Sequence, residues 1–152
     1  MSFRVKSYEH VGIRVTDRER ATKFYEAFGW REEIDLPEHH ANEMVNEEGV
    51  YINLIFNGVP REGGLNVLQD EPVKMPGMTH IAFIVDDLAA LIAKLNQEGI
   101  PISGGPHIYS NRRKLIFVRD PDGNVLEFNE LLIGMPISTT KLNAHPTENV
   151  TQ

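Results

Sequence analysis

The chain has no cysteine. That absence excludes disulfides and thiolate ligands, so any bound metal must take nitrogen and oxygen donors. It also fits a reducing compartment, and a cytoplasmic location is the expectation. No apolar run reaches the ~20 residues that cross a bilayer as a helix, and no basic-then-apolar leader opens at Met1. A membrane partner is therefore not expected. Basic charge is also in short supply, with 15 Lys and Arg against 22 Asp and Glu for a net charge of −7. A phosphate backbone demands a basic footprint, so nucleic acid is not an expected partner. The one basic cluster, Arg112-Arg113-Lys114, reads as a strand start or turn. What is present is 152 residues, 41% of them apolar, enough for one domain or for two small modules sharing a core.

The chain repeats itself. "HVGIRVTDRERATKFYEAFGW" (10–30) and "HIAFIVDDLAALIAKLNQEGI" (80–100) align without a gap, matching His10 with His80, Val15 with Val85, Asp17 with Asp87 and Gly29 with Gly99. Each copy opens with the alternation of a strand, continues through a capping residue (Thr16 or Asp17, Asp86 or Asp87), and runs into a helical pattern. Ala21, Phe24, Tyr25 and Phe28 share one helix face, and Leu88, Leu91, Ile92 and Leu95 share the other. Gly29 and Gly99 stand where a helix ends in a left-handed residue. Three further strands are expected in each half: "WREEI", "ANEMVNE" and "GVYINLIFN", then "IPIS", "RKLIFVRD" and "NVLEFNEL", with "DPDG" as a turn. The fold class is thus α+β, with two tandem βαβββ modules at about 7–57 and 78–131. The Gly- and Pro-rich stretch 58–77 links them, the domain spans 1–132, and 133–152 is a C-terminal extension.

Alternation decides which residues face together. Tyr8, His10, Gly12 and Arg14 point away from Val11, Ile13 and Val15, while His80, Ala82 and Ile84 oppose Ile81, Phe83 and Val85. Two histidines at matched positions are either metal ligands or satisfied cross-strand residues. Glu127, between Leu126 and Phe128, is costly to bury unless it is paired or binds a cation, and its first-half counterpart is Asn53 in "YINLIFN". Two imidazoles and one carboxylate are the donor set of a facial triad.

These features resemble the vicinal oxygen chelate superfamily, which includes glyoxalase I, methylmalonyl-CoA epimerase, extradiol dioxygenases, and fosfomycin and bleomycin resistance proteins. The resemblance rests on the repeated module, the two strand-opening histidines and the ending "FVRDPDGNVLEF", over about residues 7–131. It implies sheets cupped into a partly closed, mixed arrangement around a cleft. One divalent metal ion (Fe, Mn, Ni, Zn or Co) would be held there by His10, His80 and Glu127. The implied substrate is a small molecule chelating that metal through adjacent oxygens, and the implied activity is of the glyoxalase type, a lyase or isomerase. An iron-dependent ring-cleaving dioxygenase and a non-enzymatic binding or resistance protein are the alternatives. A homodimer is expected, with the apolar "LLIGMPI" contributing.

Asn53 departs from the carboxylate of glyoxalase I and the glutamine of the epimerases. It can accept a hydrogen bond or ligate through its carbonyl, but cannot act as a general base. "GPH", ending at His107, and Asp120, Pro121, Gly123 and Glu127 fit the dioxygenase pattern, whereas Phe117 stands where those enzymes carry a tyrosine. Glu127, Asn53 and His107 are therefore the catalytic candidates, and Arg14 and Phe117 the candidates for contacting substrate. Arg14 reads equally as a strand-edge cation. His107, and His39 with His40, read equally as solvated loop residues. Trp30, Phe24, Tyr25 and Phe28 read as core, and "GGLN" (63–66) is too short for a phosphate cradle.

Overall fold

The computed structural model describes residues 2–132. The proposed extension 133–152, including all but the first two residues of "LLIGMPI", lies outside the described residues.

The first half runs β1 (His10–Arg14), α1 (Arg18–Glu26), β2 (Arg31–Leu36), β3 (Ala41–Val45) and β4 (Tyr51–Ile55). The second runs β5 (Ile81–Ile84), α2 (Leu88–Glu98), β6 (Ile102–Tyr109), β7 (Arg113–Arg119) and β8 (Val125–Leu131). Both helices start where expected, because Asp17 and Asp87 accept hydrogen bonds from the backbone N–H of Arg20 (2.7 Å) and Ala90 (2.9 Å). Gly99 ends α2 at φ 68°, whereas α1 ends at Ala27 and Gly29 (φ 93°) turns the chain two residues later. β6 is longer than its sequence suggests. It carries the "GGPH" stretch against β7 through two irregularities in register.

The strands form two four-stranded mixed sheets ordered β1-β4-β3-β2 and β5-β8-β7-β6. In each, the first strand pairs parallel with the last, and the remaining pairs are antiparallel. The sheets do not close into one. Among the described residues, β1 and β5 each pair on one side only, and no strand of one sheet bonds to the other. A chain of two half-sheets with open edges is what a module of one helix and four strands produces when neither copy wraps the other.

One core spans both halves. Ile13, Tyr25, Met44, Ile52 and Leu54 pack in a cluster with Phe83, Leu95, Ile116, Leu126 and Phe128. Each such side chain contributes about 1.5–3 kcal/mol on burial. The contact is aromatic at its centre: Phe28 stacks on Phe128 with ring centroids 5.0 Å apart, and Trp30 meets Phe83 at 4.9 Å. The α1 aromatics are therefore core, as expected. A polar clasp flanks them. The Tyr25 hydroxyl donates to Asp120 (3.0 Å), Thr16 and Arg20 bond Asp122, and the Asn124 amide donates to the Arg14 carbonyl (3.0 Å). Burial pushes the Tyr25 phenol up strongly, with the neighbouring Asp120 charge adding to it. Burial also raises Asp120 against the opposing pull of Asn124 and Tyr25. The link 58–77 is tied down rather than loose, since Arg119 holds Asp70 through two bonds of 2.7 and 2.8 Å.

Candidate functional site

Strand alternation puts the proposed site residues on the faces turned away from the shared core. On the second sheet, Glu127 sits on β8 opposite Ala82 of β5 and Phe117 of β7. His80 directly precedes β5, and its Nε2 lies 2.9 Å from Glu127 Oε2. Glu127 is only 6% exposed, so its carboxylate sits in a place that costs free energy unless a cation or donor faces it. The other ring nitrogen of His80 is engaged by Thr79 Oγ1 at 2.8 Å, which fixes the imidazole plane. Phe117 meets the His80 ring edge-on at 5.7 Å and so walls this pair. Gly104, opposite Phe117, leaves the room that ring needs: a Cβ there would stand 3.2 Å from it.

The first sheet presents the matched face. Gly12 of β1, Asn53 of β4 and Glu43 of β3 are consecutive partners across the sheet, and His10 stands one row away opposite Tyr51. The Asn53 side-chain oxygen Oδ1 is buried without a hydrogen-bond partner among the described residues. His10 is half exposed and contacts Glu9 through Nδ1. Tyr51 has its phenol raised by a hydrogen bond to Glu33, with burial and the charges of Glu33 and Glu43 acting in the same direction.

The structure thus brings His80 and Glu127 together and leaves His10 and Asn53 on the other sheet. Among the described residues no group of three His, Asp or Glu side chains is close enough to hold one ion. Arg14 lines a cavity of about 200 Å³ that also touches His80, with its Nε bonded to Asn57 (2.9 Å). His107 does not join the pair. It lies on β6 rather than in a loop, is exposed, and has β7 between it and β8. His40 closes a short turn at φ 50° after Pro37–His39 and also stands apart.

Two residues on these faces had no sequence signal. Asn129 lies two positions past Glu127 on β8, 5% exposed with its side-chain carbonyl oxygen unpartnered among the described residues. Glu43 faces Asn53 only because of the β3–β4 register, which a single sequence does not contain.

The donors fit a divalent metal in kind. A buried carboxylate against an oriented imidazole supplies two donors of a three-residue nitrogen–oxygen ligand set, and His10 is a third donor of the same class. No described helix is long and apolar enough to cross a membrane.

Solved structures share this fold at low identity. A glyoxalase/dioxygenase from Nostoc punctiforme is 17% identical with a TM-score of 0.66, covering 84% of this chain and 92% of that one. An antibiotic-binding protein from a Streptomyces species is 22% identical with a TM-score of 0.65, covering 86% and 100%. A lactoylglutathione lyase from Agrobacterium tumefaciens is 21% identical with a TM-score of 0.60, covering 83% and 94%. A family profile described as Glyoxalase/Bleomycin resistance protein/Dioxygenase superfamily matches residues 7–128. With its repeated module, its two mixed sheets and this match over most of its length, the chain belongs to that superfamily.

Proposed function

We propose that the protein is a divalent-metal-dependent enzyme of the glyoxalase type, a lyase or isomerase acting on a small substrate with two adjacent oxygens. The observation that carries this reading is the 2.9 Å approach of His80 to the buried Glu127. His80 and Glu127 would hold the metal with His10. Because His10 stands on the other sheet and the edges of β1 and β5 are unpaired, the third ligand comes from a second copy across a twofold, and the protein is a homodimer. When bound, the metal supplies Lewis-acid polarisation of the substrate carbonyl. The chain does the rest. Phe117 excludes water beside His80, Asn53 offers its free carbonyl oxygen to a substrate or water hydrogen, and Arg14 neutralises an anionic substituent.

Elemental analysis of purified protein tests the metal, with a stoichiometric divalent ion expected. Glu127→Ala should lower metal affinity by more than about 100-fold, since even outer residues of such sites are worth 10–100-fold. Mixing His10→Ala with Glu127→Ala protein after subunit exchange should restore about a quarter of the metal, because half the dimers carry one intact site of two. No restoration overturns the shared site, and a metal-free wild type overturns the enzyme reading.

A second reading, a metal-free protein that binds small molecules, is favoured by an apolar cavity of about 940 Å³ between the halves, walled by Phe28, Trp30, Phe83 and Phe128. Stoichiometric metal separates the two. Iron with oxygen uptake on catechols would instead favour the ring-cleaving alternative, against which Phe117 stands as a ring without a hydroxyl.

A further inference from the structure

We propose that Glu43 is the catalytic base of this site, taking over the proton transfer that Asn53 cannot perform; the inference rests on the metal-centre reading above. Glu43 and Asn53 are direct partners between antiparallel β3 and β4, so their Cβ atoms are about 4.5–5.5 Å apart on one face. That face also carries His10. Glu43 is partly buried and forms no ion pair with any cation among the described residues. A partly buried carboxylate that forms no ion pair is not held in place by one. With one methylene between its Cβ and the carboxylate, Glu43 is long enough to reach the substrate side of the neighbouring Asn53.

The second sheet shows what has changed. There the matched strand pair is Phe117 with Glu127, so the last strand holds the carboxylate and its neighbour an aromatic ring. On the first sheet the last strand holds a carboxamide, and the carboxylate stands one strand over. Each sheet still brings a carboxylate to its open face beside the matched strand pair. Glu127 faces His80 at 2.9 Å and is committed as a ligand. Glu43 has no such partner and stays free to move a proton.

The substrate class this suits is an α-hydroxy ketone or aldehyde. Glu43 removes the proton from the carbon bearing the hydroxyl. The C–H electron pair becomes the carbon–carbon double bond, the carbonyl π pair moves onto its oxygen, and Glu43 becomes a carboxylic acid. The hydroxyl proton passes to the former carbonyl oxygen. Return of the carbon proton from Glu43 to the neighbouring carbon re-forms a carbonyl where the hydroxyl stood, completing an isomerisation with no oxidant or reductant consumed. Asn53 keeps its carbonyl oxygen to accept from the hydroxyl.

The test uses the full chain loaded with Ni(II), with hydroxyacetone as the probe. Three quantities are read: Ni(II) content, exchange of the hydroxymethylene hydrogens into D2O by NMR, and calorimetric binding of acetohydroxamate, an anion with adjacent oxygens. For Glu43→Gln we expect unchanged Ni(II) content and acetohydroxamate binding as tight as wild type or tighter, because a negative charge has been removed from beside an anion. Exchange should slow by about 100-fold or more, the usual worth of a general base. Adding Asn53→Asp should recover part of the exchange by returning a carboxylate to the adjacent position. Glu43→Gln that exchanges at the wild-type rate, or that loses Ni(II) or hydroxamate, overturns the assignment. So does a wild type that takes up Ni(II) yet leaves hydroxyacetone unexchanged. A wild type that takes up no metal fails the metal-centre reading instead.

Discussion

The two halves share a turn but use it differently. At the β3–β4 turn, Asn46 Oδ1 accepts from the Val50 amide (2.9 Å), and Gly49 closes the bend at φ 74°. At the β7–β8 turn, Asp120 Oδ1 accepts from the Asn124 amide (2.8 Å), and Gly123 closes at φ 82°. The second turn then does more. Asp120 accepts from the Tyr25 hydroxyl and Asp122 from Thr16, so the turn clasps the helix of the opposite half. The helix position matching Tyr25 is Leu95, and that matching Phe28 is Glu98. Neither can reciprocate, and the matched place is the open cavity lined by Asn46, Val50, Leu91 and Lys94. A duplicated module, then, keeps its local geometry through backbone constraints while its interface diverges through a few side chains.

That contrast can be broken most severely at its aromatic centre. Phe128→Ala removes a ring that touches both Phe28 and Phe83, and should cost about 3–5 kcal/mol, lowering Tm by roughly 10 °C. Comparing the turns comes next. Asp120→Ala should cost about 2–4 kcal/mol in urea titration, because Tyr25 and two backbone amides lose their acceptor, while Asn46→Ala should cost only about 1 kcal/mol. Equal losses at the two turns would mean the clasp contributes nothing beyond the bend.

Acid should sharpen the difference further. The hydrogen bonds from Arg119 hold Asp70 below its ordinary value of 3.8, so its contribution is fully present above that pH and is lost as pH falls through the lowered value. Glu130, lowered first by the Leu88 amide and then by Lys114, behaves alike below its ordinary 4.5. Glu130 belongs to the second half, and Asp70 of the link is held by Arg119 of that half. The urea midpoint should fall below about pH 4, and Asp70→Asn should flatten that fall. The smallest effect is expected on the open side of the contrast. Lys94, half exposed and 3.5 Å from Glu98, should cost at most about 0.5 kcal/mol on Lys94→Ala in thermal denaturation.

Much of the fold was legible because its causes are local. Alternation marked the strands, Asp17 and Asp87 marked the helix starts, and the repeat disclosed two modules. "GGPH" misled for a local reason too: glycine and proline read as a loop, yet irregular pairing with β7 keeps His107 in a strand. The candidate site was legible by residue type, in His80 and Glu127, whose meeting follows from the parallel pairing of β5 and β8. It was not legible by partner. Nothing local says that Glu43 faces Asn53, or that Tyr25 reaches Asp120 ninety-five residues away.

Trp30 is the chain's one tryptophan, and it stands at the seam of these halves. It is 4% exposed, its indole N–H donates to the Val50 carbonyl at 2.9 Å, and its ring lines the cavity. The molecule therefore carries a single built-in optical reporter at the joint. Its emission registers loosening of one half from the other, or a guest entering between them, as a signal separable from loss of secondary structure in the circular dichroism.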